Sequence, residues 1–332
     1  MITVVGAGSW GTALAVHLAR GGEQVTLWAR QPEVAEVLRA RRRNPWYLTD
    51  VELPAGVEPT SDASAPAAAS LVIVAVPSEF VGSTLARLAR PTAPVVSATK
   101  GFEPGRQRRM SEVIAERWPG PPVAVLSGPT FAREVARAQP TAAVVASRDD
   151  AVAAELQRRL GSREFRLYTN RDVVGVEVGG ALKNVIALAT GLADGLGLGE
   201  NARAALVTRG LAEITRLAVA LGGEPATLAG LAGLGDLVLT STGTLSRNRA
   251  LGMALARGES RADAQRATRM VAEGVPTVSA ALALADRHGV SLPIATEVAA
   301  VLSEGKAPAE ALASLLGRAA TREDTRVGER HA

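Results

Sequence analysis

Six residues constrain this chain more than any others: Gly6-Ala7-Gly8-Ser9-Trp10-Gly11, set between an apolar run, Ile2 to Val5, and a helical segment beginning near Thr12. A G-x-G-x-x-G run carries weight only where a strand ends and a helix opens, and that context is present. The first glycine permits the tight turn, the second lets the backbone approach a pyrophosphate, and the third lets the helix pack closely. The helix N-terminus then supplies unpaired N–H donors for an anion. Gly6, Gly8 and Gly11 are therefore candidates to hold a dinucleotide.

The residues beyond the glycine motif set the fold class. Short β-branched runs, Ile2 to Val5, Gln24 to Trp28, Leu71 to Val76, Val95 to Ala98, Val123 to Leu126 and Ala142 to Ala146, alternate with helix-like segments. Such alternation predicts a mostly parallel sheet covered on both faces, whose strands are apolar throughout because both sides are buried. From Asp172 onward the chain is rich in Ala and Leu at helical spacing, broken by turns such as Gly195-Leu196-Gly197-Leu198-Gly199. The expected fold is α/β: an N-terminal Rossmann-type dinucleotide-binding domain over residues 1–170, ending in a short strand at Phe165 to Tyr168, then an all-helical substrate-binding domain over residues 171–332. A chain of 332 residues suits two domains, since each typically takes roughly 100–200 residues.

Composition removes whole classes of chemistry. With no cysteine, disulfides, thiolate catalysis and cysteine-held metal centres drop out together. The three histidines, His17, His288 and His331, are scattered outside any polar motif, so no metal site is expected and each is read as structural or exposed. Met1 to Ala19 lacks a basic flank and is interrupted by glycine, unlike a secretory signal. Uncharged stretches such as Ala63 to Ser78 fall short of the ~20 residues a bilayer requires. A cytoplasmic protein without membrane insertion is expected. The net charge of +4 is spread along the chain, Arg41-Arg42-Arg43 being the one dense run, and only ten residues are aromatic; no nucleic acid is expected as partner.

Against 34 arginines the chain keeps three lysines, Lys100, Lys183 and Lys306. Lysine alone of the two has a compact ammonium that burial can bring to neutrality. Lys183 lies in the apolar stretch Gly179-Gly180-Ala181-Leu182-Lys183-Asn184-Val185-Ile186-Ala187, where a charge is costly unless it lines a cleft. Lys100, in Ala98-Thr99-Lys100-Gly101, and the segment Ser127-Gly128-Pro129-Thr130-Phe131-Ala132 both follow strands, at the carboxyl ends where ligands bind in such sheets. Asp236 stands in Gly233-Leu234-Gly235-Asp236-Leu237 as a candidate lysine partner, and Ser246-Arg247-Asn248-Arg249 offers donors suited to a phosphate. Where an NAD-specific site places a carboxylate, about 20 residues past the glycines, the second strand ends in Arg30. NADP is therefore expected to be accepted, alongside NAD.

In this order, these motifs and Asn201-Ala202-Arg203-Ala204-Ala205-Leu206 resemble the bacterial NAD(P)-dependent sn-glycerol-3-phosphate dehydrogenases over nearly the whole chain, to Leu315-Leu316-Gly317-Arg318. The resemblance implies interconversion of dihydroxyacetone phosphate and sn-glycerol 3-phosphate, feeding the glycerol backbone of phospholipids. It implies that Lys183 moves the hydroxyl proton with Asp236 orienting it, and that Lys100 contacts both substrate and cofactor. Gly128, Thr130, Ser246, Arg247 and Asn248 would hold the substrate, Arg247 also reaching the cofactor. Ser9, Trp10, Arg30, Ala132, Val271 and Glu273 would contact the dinucleotide. The family likeness also implies a homodimer.

Two other readings stay open on the residues alone. A related two-domain dehydrogenase of 3-hydroxy acids or keto acids would present a carboxylate to Arg247 in place of a phosphate. A dinucleotide sensor that has lost catalysis would share the first domain, although such a protein has no need to keep both Lys183 and Asp236.

Overall fold

Runs that are apolar on both sides can only be satisfied inside a sheet covered on two faces, and the computed structural model builds that sheet. It describes residues 1–268 and 273–319. Eight strands, β1 (Ile2–Val5), β2 (Val25–Trp28), β3 (Val57–Thr60), β4 (Leu71–Val74), β5 (Val95–Ser97), β6 (Val123–Ser127), β7 (Thr141–Ala146) and β8 (Phe165–Asn170), lie in the order β3-β2-β1-β4-β5-β6-β7-β8. All neighbours are parallel except β6 and β7. Chain order reverses between β1 and β4, whose Val5 and Val74 pair, and such a switch point leaves a crevice at the strand ends.

β3 is not among the strands expected from the sequence. Val57-Glu58-Pro59-Thr60 breaks the apolar pattern, but β3 is a sheet edge, where a proline's missing N–H faces no partner. The helices among these strands are α1 (Ser9–Arg20), α2 (Pro32–Arg41), α3 (Val81–Leu85), α4 (Met110–Arg117), α5 (Ala132–Ala136) and α6 (Asp150–Leu160). They bury one core on each sheet face. Leu14 and Leu18 of α1 and Leu156 and Leu160 of α6 join Ile2, Val4 and Val96 on one side. Val81, Leu85, Met110 and Ile114 of α3 and α4 join Val5, Val72 and Val95 on the other. His17 donates from its ring to the Leu160 carbonyl at 2.8 Å and packs against Phe165. Burial lowers its pKa, so it serves as a neutral core group.

The described residues beyond β8 are helical: α7 (Val173–Gly195), α8 (Gly199–Ala220), α9 (Pro225–Leu228), α10 (Asp236–Thr242), α11 (Arg247–Ala256), α12 (Arg261–Thr268), α13 (Gly274–Arg287), α14 (Pro293–Ser303) and α15 (Pro308–Leu316). The chain divides into two compact units, Met1–Glu177 and Val178–Ala332. α7 is long and apolar enough to cross a bilayer, yet its apolar window is wholly buried in the protein, as a core helix is. Within the first unit, the carboxylate of Glu177 accepts from the Ser111 backbone N–H at 2.8 Å, the Ser111 hydroxyl at 2.6 Å and Arg109 at 2.9 Å. Burial pushes the Glu177 carboxyl up, against the pull of Arg109 and Ser111.

A second buried carboxylate ties the helical unit together. Glu213 of α8 accepts from the backbone N–H groups of Ile294 at 2.7 Å and Ala295 at 3.3 Å, filling the first turn of α14. Burial outweighs these bonds and pushes its pKa up to about 7. The folded state then holds this proton more tightly than the unfolded chain, so the contribution to stability is full at acid pH and is lost as pH rises through about 7. The total swing is ~3 kcal/mol. Glu213→Gln is expected to flatten the fall in Tm between acid and neutral pH, measured by thermal denaturation across that range; an unchanged slope would remove Glu213 as its source.

Candidate functional site

The glycine loop is shaped by backbone contacts that no side chain could share. Gly6 has φ +116°, and a Cβ there would stand 2.7 Å from the Ala75 carbonyl at the end of β4. A Cβ on Gly11 would run into the Gly6 carbonyl itself. α1 therefore starts tightly against β1, at Ser9 rather than near Thr12, because Trp10 and Gly11 already take helical conformation. No side chain caps this helix and no acid lies in its first turn, so the positive end of its dipole is suited to an anion. A Cβ on Gly8 would meet nothing within 4 Å, which leaves open space on that side of the loop. The Trp10 indole N–H is buried without an acceptor among the described residues. These features fit a bound dinucleotide pyrophosphate.

Asn44, which carries no signal in the sequence, braces this loop. It is fully buried and donates to the Ala7 carbonyl and to the Thr12 hydroxyl, both at 2.9 Å. Its own side-chain oxygen accepts from the Trp46 and Tyr47 N–H groups at 3.2 and 3.0 Å. One amide thus joins the segment after α2 to the glycine turn. Arg30 follows β2, solvent-exposed and with no carboxylate partner among the described residues.

At the ends of β5 and β6, two expected site residues meet on one atom. Lys100 donates to the Gly128 carbonyl at 3.0 Å, and the Thr130 hydroxyl donates to the same oxygen at 3.1 Å. Gly128 has φ +126°, a left-handed turn at which the chain leaves β6. Ala132 opens α5 shortly after it.

In the helical unit, Lys183 of α7 is 7% exposed and Asp236, at the start of α10, is fully buried. The ammonium donates to Asp236 Oδ1 at 2.6 Å and to Thr240 Oγ1 at 2.7 Å. Thr240, one turn along α10 from Asp236, donates to the same carboxylate oxygen at 3.4 Å. A π-helical turn, Leu231–Gly235, leads straight into Asp236. The i, i+4 spacing on a helix places Asp236 and Thr240 on one face, and that spacing is the signal by which the sequence could have pointed to Thr240.

The remaining polar residues form a second knot. The Asn248 amide donates to Asn184 Oδ1 at 2.9 Å, and its oxygen accepts from the Gly274 N–H at 3.0 Å. Asn184 in turn donates to Glu273 Oε2 at 3.5 Å. Three helices, α7, α11 and α13, are thereby joined through Asn184, the immediate neighbour of Lys183. Ser246 caps α11 by accepting from the Arg249 N–H at 3.3 Å. Arg247 is half-exposed and pairs with no carboxylate among the described residues. Val271 lies outside the described residues.

Comparison with known proteins gives the family. Residues 1–153 match the family described as NAD-dependent glycerol-3-phosphate dehydrogenase N-terminus, and residues 172–313 match its C-terminus. Glycerol-3-phosphate dehydrogenase [NAD(P)+] of Moorella thermoacetica is 51% identical over 327 residues, 97% of each chain. That of Geobacter sulfurreducens is 52% identical over 325 residues, 96% of this chain and 97% of the relative. The crystal structure of glycerol-3-phosphate dehydrogenase from Coxiella burnetii superposes with a TM-score of 0.92 at 40% identity, covering 96% of this chain and 98% of that one. The chain belongs to the NAD-dependent glycerol-3-phosphate dehydrogenase family.

Proposed function

We propose that this protein interconverts dihydroxyacetone phosphate and sn-glycerol 3-phosphate with NAD or NADP as the hydride carrier, supplying the glycerol backbone of phospholipids. The observation that carries the reading is the buried Lys183–Asp236–Thr240 cluster in a chain of this family. A charge kept in such surroundings costs stability, and a reaction that moves a hydroxyl proton supplies the reason to keep it. This reading displaces a 3-hydroxy acid substrate and a catalytically silent sensor.

Residues 1–170 serve as the dinucleotide-binding domain and 171–332 as the substrate-binding domain. Gly6, Gly8, Ser9, Trp10 and Gly11 hold the dinucleotide, whose nicotinamide supplies or accepts the hydride when bound. Arg30, Ala132 and Glu273 complete its contacts. Val271, the remaining residue in that set by family likeness, lies outside the described residues. Lys183 gives its proton to the ketone oxygen in reduction and takes the hydroxyl proton in oxidation, while Asp236 and Thr240 fix the direction of its Nζ. Lys100 adds positive charge beside the substrate, polarising the carbonyl, and contacts the cofactor. Gly128, Thr130, Ser246, Arg247 and Asn248 hold the substrate, with Arg247 on the phosphate and reaching the cofactor. The proposal extends to a cytoplasmic location and to a homodimer, both supported by family likeness. A monomer mass persisting across a concentration series in light scattering would remove the dimer.

Oxidation of NADH and NADPH with dihydroxyacetone phosphate, set beside unphosphorylated dihydroxyacetone, tests the function. Turnover is expected with the phosphorylated ketone and is expected to fall by at least ~10²-fold without the phosphate; equal rates would defeat the substrate assignment. In the same assay Arg30→Ala is expected to lower kcat/KM for NADPH by roughly tenfold and leave NADH nearly unchanged. A loss shared by both cofactors would take specificity away from Arg30. Thr240→Val, close in shape, is expected to lower kcat by about tenfold with little change in KM for dinucleotide, because the ammonium loses a bond that aims it. Full activity in that variant would remove Thr240 from the orienting role.

A further inference from the structure

α11 opens with Arg247, Asn248 and Arg249 and has no acidic residue in its first turn. Cations at a helix N-terminus face the positive end of the macrodipole and are disfavoured there. α7, in turn, carries Asp194 one residue before its end, a carboxylate at the negative end of a helix. Each charge is misplaced on its own helix, and they are placed against each other. Arg249 Nε donates to Asp194 Oδ2 at 2.6 Å. The other carboxylate oxygen accepts from Arg203 of α8, from Nε at 2.9 Å and Nη2 at 2.6 Å. The Asp194 side chain is 6% exposed, and those of Arg249 and Arg203 are 16% and 19% exposed.

The backbone beneath this pair is equally committed. A Cβ on Gly191 of α7 would strike the Arg249 carbonyl, and one on Gly252 of α11 would strike the Leu188 carbonyl. The two helices therefore touch main chain to main chain within a turn of the Asp194–Arg249 bond, and the first turn of α11 has no slack. Arg203 also donates to Glu200 at 2.6 Å, so among the described residues it alone of the two arginines on Asp194 has a second carboxylate. Arg247 is left with no carboxylate partner among the described residues, two residues from the clamped Arg249.

We infer that Asp194 is a positioning residue for substrate binding: by holding Arg249 on α7 it fixes the turn that carries Arg247 and Asn248, and it withdraws Arg249 as a competing cation. The inference rests on the proposed reading of Arg247 as the phosphate-binding residue. Asp194 acts on affinity for the phosphorylated ketone and leaves proton transfer at Lys183 alone. Arg203 holds Asp194 from the far side and has no bond to α11, so its removal matters less to the anion.

The test is steady-state kinetics on the full-length enzyme with dihydroxyacetone phosphate at saturating NADH, together with Tm. Asp194→Asn and Arg249→Gln are expected to raise KM for the ketone at least about fivefold with kcat held within about twofold, whereas Arg203→Gln moves KM less than about twofold. Asp194→Glu, which keeps the charge, is expected to recover most of the loss. Arg249→Gln keeps the test available should Asp194→Asn fail to fold. Arg247→Ala is the reference: if it leaves KM unchanged, the phosphate reading of Arg247 fails and the inference with it. If Arg247→Ala raises KM while Arg249→Gln lowers only Tm, the phosphate reading survives and Asp194 is reduced to a staple of the fold.

Discussion

The helical unit is arranged around a single costly contact, the buried ammonium of Lys183 on the carboxylate of Asp236. Removing two charges from water costs several kcal/mol each in effect, and their attraction repays this only with good geometry and further hydrogen bonds. Thr240 supplies the further bond, on the same helix face as Asp236. An apolar pair of similar volume would serve the fold as well or better, so the stability of the protein does not explain why the charges are kept. The proton transfer proposed for Lys183 supplies a reason. The same logic accounts for the polar knot through Asn184, Asn248 and Gly274, which satisfies every buried amide it contains while locking the neighbour of Lys183 in place.

The first unit meets a different demand, that of leaving a helix end uncapped. A helix N-terminus usually takes a capping side chain; α1 has none, and Asn44 is spent on the carbonyl side of the glycine turn, not on the donors of α1. Backbone fit at Gly6 and Gly11 holds α1 close to β1 and β4, so the uncapped end stays at the switch point of the sheet. Rigid packing below and an uncapped helix end above suit a bound anion without any basic side chain in the loop.

Much of this is legible in the chain. Buried strands need apolar runs, so six of the eight stand out, while β8, at the other edge, is marked by the alternation of buried Phe165 and Leu167 with exposed Arg166 and Tyr168; the glycine motif marks the turn after β1. β3 does not stand out, because an edge strand tolerates Glu58 and Pro59 that a central strand would reject. Sequence places the start of α1 three residues late because glycine and serine suggest a loop, while here tertiary contact makes them helical. The family motifs name Lys183, Asp236 and Arg247. They do not supply partners fixed by three-dimensional packing: Asn44 on Ala7, Asn184 on Asn248, and Asp194 between Arg203 and Arg249, each a polar side chain that looks ordinary until its neighbour is known.

The central claim is that Lys183 moves the proton. Lys183→Ala, assayed by single-turnover oxidation of bound NADH with dihydroxyacetone phosphate and by NADH titration in the same preparation, addresses it directly. The account predicts unchanged NADH affinity and hydride transfer slower by roughly 10²–10⁴-fold. Near-normal transfer from the variant would contradict it and send the proton to another group.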